Sequence, residues 1–164
     1  MKRALIFFSL MLLLISGCAK EPVKPALLRS MAQLDQVYIP TLIFTDLHKQ
    51  REAEIAIKRL SSQWNSFYEK YYGLELKYGV NIIDKFWKED FDRTSADIDL
   101  AVVLIQAKKL TEAHGRLANV RKTLRGLRQR NGLIYFLDGM TAYHEAMDGI
   151  ILSLRGKDKL SDKD

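Results

Sequence analysis

Five stretches of this chain carry buried-type residues at helical spacing, and in four of them the step is a strict four and three. Ala53, Ile57, Leu60, Trp64, Phe67 and Tyr71 make one such row. Trp87, Phe91, Thr94, Ile98, Ala101 and Ile105 make another, and Ala113, Leu117, Val120, Leu124 and Leu127 a third. Phe136, Met140, Tyr143, Met147, Ile150 and Leu154 repeat it once more near the end. Residues so spaced share one face of an α-helix. Such a row is what neighbouring helices bury at shallow, left-handed crossing angles. The earliest stretch holds Leu27, Met31, Leu34, Tyr38 and Leu42 at similar intervals. No stretch alternates at period two for long enough to form a strand.

The predicted helices cover about 27–46, 50–72, 82–107, 110–130 and 133–154. Pro40 predicts a kink near residues 36–40, or a break there, because proline removes a donor and crowds the preceding turn. Residues 37–44 are apolar on nearly all sides and are expected to be covered by several neighbours. Thr111 can cap the fourth helix and Glu112 suits the positive end of its dipole. Asn131-Gly132 is a helix stop. Residues 73–81 read as the longest connection. The short links between the other helices imply up-and-down neighbours. The fold class is therefore all-α, an antiparallel up-and-down helical bundle of four to five helices. All six residues of the last row are expected inside it.

The charges are sorted by helix. The third carries Asp84, Glu89, Asp90, Asp92, Asp97 and Asp99, whereas the fourth carries Arg116, Arg121, Lys122, Arg125, Arg128 and Arg130. Arg121, Arg125 and Arg128 line up beside the apolar row. This strip is a candidate contact for an anion or a lipid headgroup, or for an acidic partner, unless its arginines pair with the acids of the third helix or are simply solvated.

Residues 1–18, MKRALIFFSLMLLLISGC, set the location. Lys2 and Arg3 precede an uncharged apolar run at 4–15, which is too short to span a bilayer comfortably and fits the core of a secretory signal. The following Ile15-Ser16-Gly17-Cys18 resembles the lipobox of bacterial lipoproteins. The resemblance implies cleavage before Cys18 and acylation of its sulfur and new amino group, palmitate included. Ala19 after the cysteine implies sorting to the outer membrane, with the domain facing the periplasm. The predicted organisation is a signal peptide at 1–17, a tether at 18–26, a helical domain at 27–155 and a flexible tail at 156–164. The tether, with Pro22 and Pro25, reaches about 25 Å at most. It should turn the aromatic-rich end and the arginine strip toward the membrane and the histidine end away.

Composition narrows the rest. Removing residues 1–17 from 164 leaves 147, enough for one domain with its own core. Cys18 is the only cysteine, so the folded part must rely on packing without disulfides. The net charge of +6 falls to +4 once Lys2 and Arg3 leave, which does not suggest nucleic acid.

The stretch 90–130, DFDRTSADIDLAVVLIQAKKLTEAHGRLANVRKTLRGLRQR, resembles the third and fourth helices of the periplasmic four-helix cytochromes, b-type and c-prime. There is no Cys-x-x-Cys-His motif for covalent haem. Met31 can stand where the b-type bundle has its methionine, but Gly126 to Arg130 holds no histidine. The resemblance implies a related architecture without that haem site, and no cofactor is expected. His114, His144 and Asp148 can reach a common height between antiparallel helices, with donors that suit zinc, copper or iron. Nothing like a dense zinc motif accompanies them, so no metal is expected. Trp64, Phe67, Tyr71, Phe86, Trp87, Phe91, Tyr135 and Phe136 gather at the opposite end as an aromatic layer.

No phosphate loop, Gly-x-Ser-x-Gly or cysteine nucleophile is present, and Asp97 and Asp99 point different ways on one helix. The chain is therefore not expected to be an enzyme. The function expected is binding or scaffolding at the cell envelope, tied to the membrane by its lipid anchor and open to an envelope protein partner. The alternative is a haem, metal or small-molecule carrier using the bundle core.

Overall fold

The computed structural model describes residues 23–74 and 84–154, with the side chains of Val23, His144, Asp148, Leu152 and Leu154 left aside. The signal, Cys18, the connection at 75–83 and the tail lie outside the described residues. Five helices follow one another: α1 Val23–Asp46, α2 Gln50–Tyr71, α3 Trp87–Gln106, α4 Leu110–Arg130 and α5 Phe136–Leu154. No strand occurs among the described residues, and no helix there is long and apolar enough to cross a membrane.

Helices α1 to α4 form an antiparallel bundle in which α1 packs on α2, α2 on α3, α3 on α4, and α4 back on α1. Polar contacts across the bundle mark the directions. Near one end the Tyr71 hydroxyl donates to the Ala26 carbonyl at 3.1 Å, and Trp87 Nε1 donates to the Tyr71 carbonyl at 3.0 Å. Near the other, Gln50 Nε2 donates to the Ile105 carbonyl at 2.7 Å. The expected rows of α2, α3 and α4 are all buried. In α1 the row continues through Thr41 and Thr45 rather than Leu42, and both threonines are fully buried. Their hydroxyls donate to the helix's own carbonyls, Val37 at 2.8 Å and Leu42 at 2.8 Å, so no buried hydroxyl is left unpaired there. All four helices thus present one four-three row to a common core.

The structure corrects several expectations about α1 and the turns. The helix begins at Val23, four residues before the predicted start, with Pro25 in its first turn, where a missing N–H costs no helical bond. It runs unbroken through Pro40. Ile39 and Ile43 are exposed, because the bundle covers only the inner side of α1. Thr111 does not cap α4, since it lies inside a helix that starts at Leu110 after Lys109. The aromatic layer is real for Trp64, Phe67, Tyr71, Trp87 and Phe91, whose rings pack at centroid distances of 4.9 to 5.6 Å. Phe86 and Phe136 are outside it and exposed.

The largest departure is α5, which closes no face of the bundle. Four inward rows already surround the core, so it is closed to a fifth. Leu133, just before it, is buried in the core and ties the segment down.

Three turns share one geometry. The N–H of Lys49 bonds to the Phe44 carbonyl at 2.9 Å, that of Lys109 to Leu104 at 2.9 Å, and that of Leu133 to Arg128 at 2.9 Å. Each is the six-to-one bond that ends a helix around a left-handed residue. That residue is Gly132 in the third turn, but His48 (φ 53°) and Lys108 (φ 61°) in the first two. A side chain in this region costs about 1 kcal/mol. His48→Gly and Lys108→Gly should therefore each stabilise the bundle by roughly 0.5–1 kcal/mol in urea unfolding.

Candidate interaction face

The site of interest is the contact between α4 and α5. Helix α5 turns its polar side inward: Thr141 is buried, and Asp138 and Glu145 are partly covered. These carboxylates meet the arginines of α4. Arg128 is only 5% exposed, and its Nε donates to Asp138 Oδ2 at 2.9 Å while its Nη2 reaches Oδ1 of the same carboxylate. The Tyr135 ring covers the Arg128 guanidinium, with 4.7 Å between the guanidinium carbon and the ring centroid. One turn back, Arg125 Nη1 donates to Glu145 at 2.5 Å. The Tyr135 hydroxyl donates to Asp35 of α1 at 2.5 Å, which joins α5's entry to a second helix of the bundle.

This arrangement answers where the predicted strip lies. Arg125 and Arg128 are engaged by the acids of α5, not by those of α3. Arg128 cannot touch a lipid headgroup while α5 lies over it, so its candidate role as an external anion contact is corrected by the structure. Arg121 stands apart from these pairs, and its Nε is buried with no hydrogen-bond partner among the described residues. The acids in and just before α3 meet other arginines. Arg116 pairs with Asp97 at 3.5 Å, and Arg130 with both Asp84 and the buried Asp90. No group of residues that could hold a metal ion occurs among the described residues. His114 Nδ1 sits 3.2 Å from the Leu42 carbonyl and 3.4 Å from the Thr45 hydroxyl, so its ring serves the α1–α4 contact. The side chains of His144 and Asp148, like Cys18, lie outside the described residues.

With its polar side inward, α5 leaves its apolar row outside. Phe136 is 82% exposed, Tyr143 65% and Ile150 60%, and Met140 and Met147 lie beside them. Ile151 widens the face, and Ile134 in the preceding link is 93% exposed. The expectation that this row lies inside is overturned for all five members whose side chains are described. The signal for the reversal was present in sequence. Asp138, Thr141 and Glu145 step by three and four on the opposite face, opposite a helix rich in arginine. A groove of about 290 Å³ lies between α2 and α3, lined by Glu54, Ile57, Lys58, Val102, Ile105 and Gln106.

Burial pushes the Asp35 carboxyl above the usual carboxylate range, against the opposing pull of the Tyr135 hydrogen bond and the Arg128 charge. Burial and the bond to Asp35 push the Tyr135 phenol up as well. A carboxyl raised by folding binds more protons in the folded chain, so its contribution to stability falls as pH rises through that raised range. Asn at this position keeps an acceptor for Tyr135. From about pH 4 to pH 7 the difference in unfolding free energy should move in favour of Asp35→Asn, by about 1.4 kcal/mol for each pH unit by which folding lifts the pKa. Asp138→Ala leaves Arg128 buried and uncompensated, at a cost on the order of 3 kcal/mol. We expect release of α5 to relieve that cost. Amide exchange should then quicken across α5 while α1 to α4 keep their rates.

No protein-family model, curated protein or solved structure matches this chain.

Proposed function

We propose that this chain is a lipoprotein of the bacterial envelope, held by Cys18 in the outer membrane and facing the periplasm, where it works as a non-enzymatic binding or scaffolding module. The address rests on residues 1–18, with a basic start, an apolar run and Ile-Ser-Gly before the cysteine. Only residues 19–22 separate Cys18 from α1, and such a link spans about 17 Å at most. The end of the bundle that holds the start of α1 and the end of α4 is then kept beside the bilayer.

The observation that carries the binding role is the outward apolar face of α5. A contiguous apolar patch of this kind on a charged surface marks an interaction site. It is held against α4 by the largely buried Arg128–Asp138 pair and the half-exposed Arg125–Glu145 pair. A carrier role has less support: Trp64, Trp87 and Phe91 fill the middle of the aromatic end against one another, and the α2–α3 groove is lined partly by the charges of Glu54 and Lys58.

Metabolic labelling with a palmitate analogue tests the address. The wild-type chain should take up label and sediment with membranes, and Cys18→Ser should lose both properties. An unlabelled, freely soluble wild type would remove the lipoprotein reading. Pull-down from a crosslinked envelope, compared with a Phe136→Glu/Tyr143→Glu variant, tests the binding role. Partners that depend on α5 should be lost from the variant.

A further inference from the structure

We infer that the exposed face of α5 is the contact between two copies of this chain, which pair through their fifth helices. The first reason is the spacing. Phe136, Met140, Tyr143, Met147 and Ile150 step by four, three, four and three, the same repeat that α2, α3 and α4 bury against other helices. A narrow row with that period is shaped for another helix, whose knobs it receives. The second reason is area. Phe136, Met140, Tyr143, Met147, Ile150 and Ile151 are all exposed on one helix side, a contiguous apolar face larger than an ordinary monomer leaves bare. Gly139, on the flank of the row, adds no bulk that would hold a partner helix away.

Charge decides between a second helix and the membrane surface. Helices that lie in a bilayer interface carry lysine and arginine along their polar side. Phe136–Leu154 contains neither, and it holds Asp138, Glu145 and Asp148. The outward face of α5 therefore offers no cation to an anionic lipid surface. A symmetric pair needs no second kind of partner: one self-complementary patch closes on itself about a two-fold axis and leaves no further apolar face on α5. The inference rests on the reading of α5 as the binding face and names its partner; it does not depend on whether Cys18 carries lipid.

Cysteine crosslinking of the full-length chain in cells tests the pairing. Tyr143→Cys and Met147→Cys, near the middle of the row, are each oxidised and compared with the parent, whose one thiol is Cys18, and with Glu52→Cys on the exposed side of α2. A disulfide-linked dimer well above both controls is expected, and an added Ile150→Glu should abolish it. Ile150 is exposed in the single chain, so that variant should keep its helical circular dichroism. Dimer no stronger than in the controls overturns the inference, whatever the labelling of Cys18 shows. It is equally overturned if the purified Cys18→Ser chain sediments as a monomer and floats with phosphatidylethanolamine–phosphatidylglycerol vesicles in a manner lost with Ile150→Glu. That result would assign the face to lipid.

Discussion

The closure of four apolar rows around one core is the constraint from which the rest of this structure follows. Each of α1 to α4 offers one row, and four rows at left-handed packing angles surround a core completely. The aromatic end and the threonine-lined end are both filled by these rows. Once they have met, the core is closed to a fifth row. Helix α5 must then attach by other means, and the outside of α4 offers arginines.

That attachment inverts the usual relation between a helix and its support. The polar side of α5 is covered and its apolar side is left in water. Charge pairing provides a firm but conditional attachment. Buried arginine and carboxylate groups lose much of their hydration and regain little net free energy from each other. They impose a steep penalty on any arrangement in which one partner is left alone. The bidentate Arg128–Asp138 pair, shielded by Tyr135, therefore fixes where α5 lies more than it stabilises the domain. The bond from Tyr135 to Asp35 extends this fixing to α1, so α5 is referenced to two helices of the bundle.

Much of the fold was legible because its signal is local. The rows of α2, α3 and α4 can be read directly, and each is buried as spaced. Asn131-Gly132 ends α4 as its chemistry requires. The misreadings have separate causes, each set by what a neighbouring helix does or does not cover. Leu42 looks like the natural continuation of the α1 row, yet Thr41 and Thr45 are buried instead. A threonine can satisfy its hydroxyl on its own helix, and the four-three step outweighs the gain from one larger side chain. Ile39 and Ile43 are apolar enough for a core but sit on a face that no helix covers. For the arginine strip, sequence shows alignment on one face but not which acids will arrive there.

The amino-acid sequence by itself determined the helices, their order, their antiparallel links, three of the four rows that make the core and the first part of the fourth, because each depends on spacing within a single turn or a short link. It also supplied the whole case for an anchor at Cys18. Only the tertiary structure decided what α5 does. Its row has the same period as the other helices; the polar step Asp138, Thr141 and Glu145 marks a second face, but the row itself does not tell whether it will be buried or left out. The difference is a count of available faces: four rows exhaust the core, and the fifth helix turns its carboxylates to the arginines of α4 and its apolar side outward.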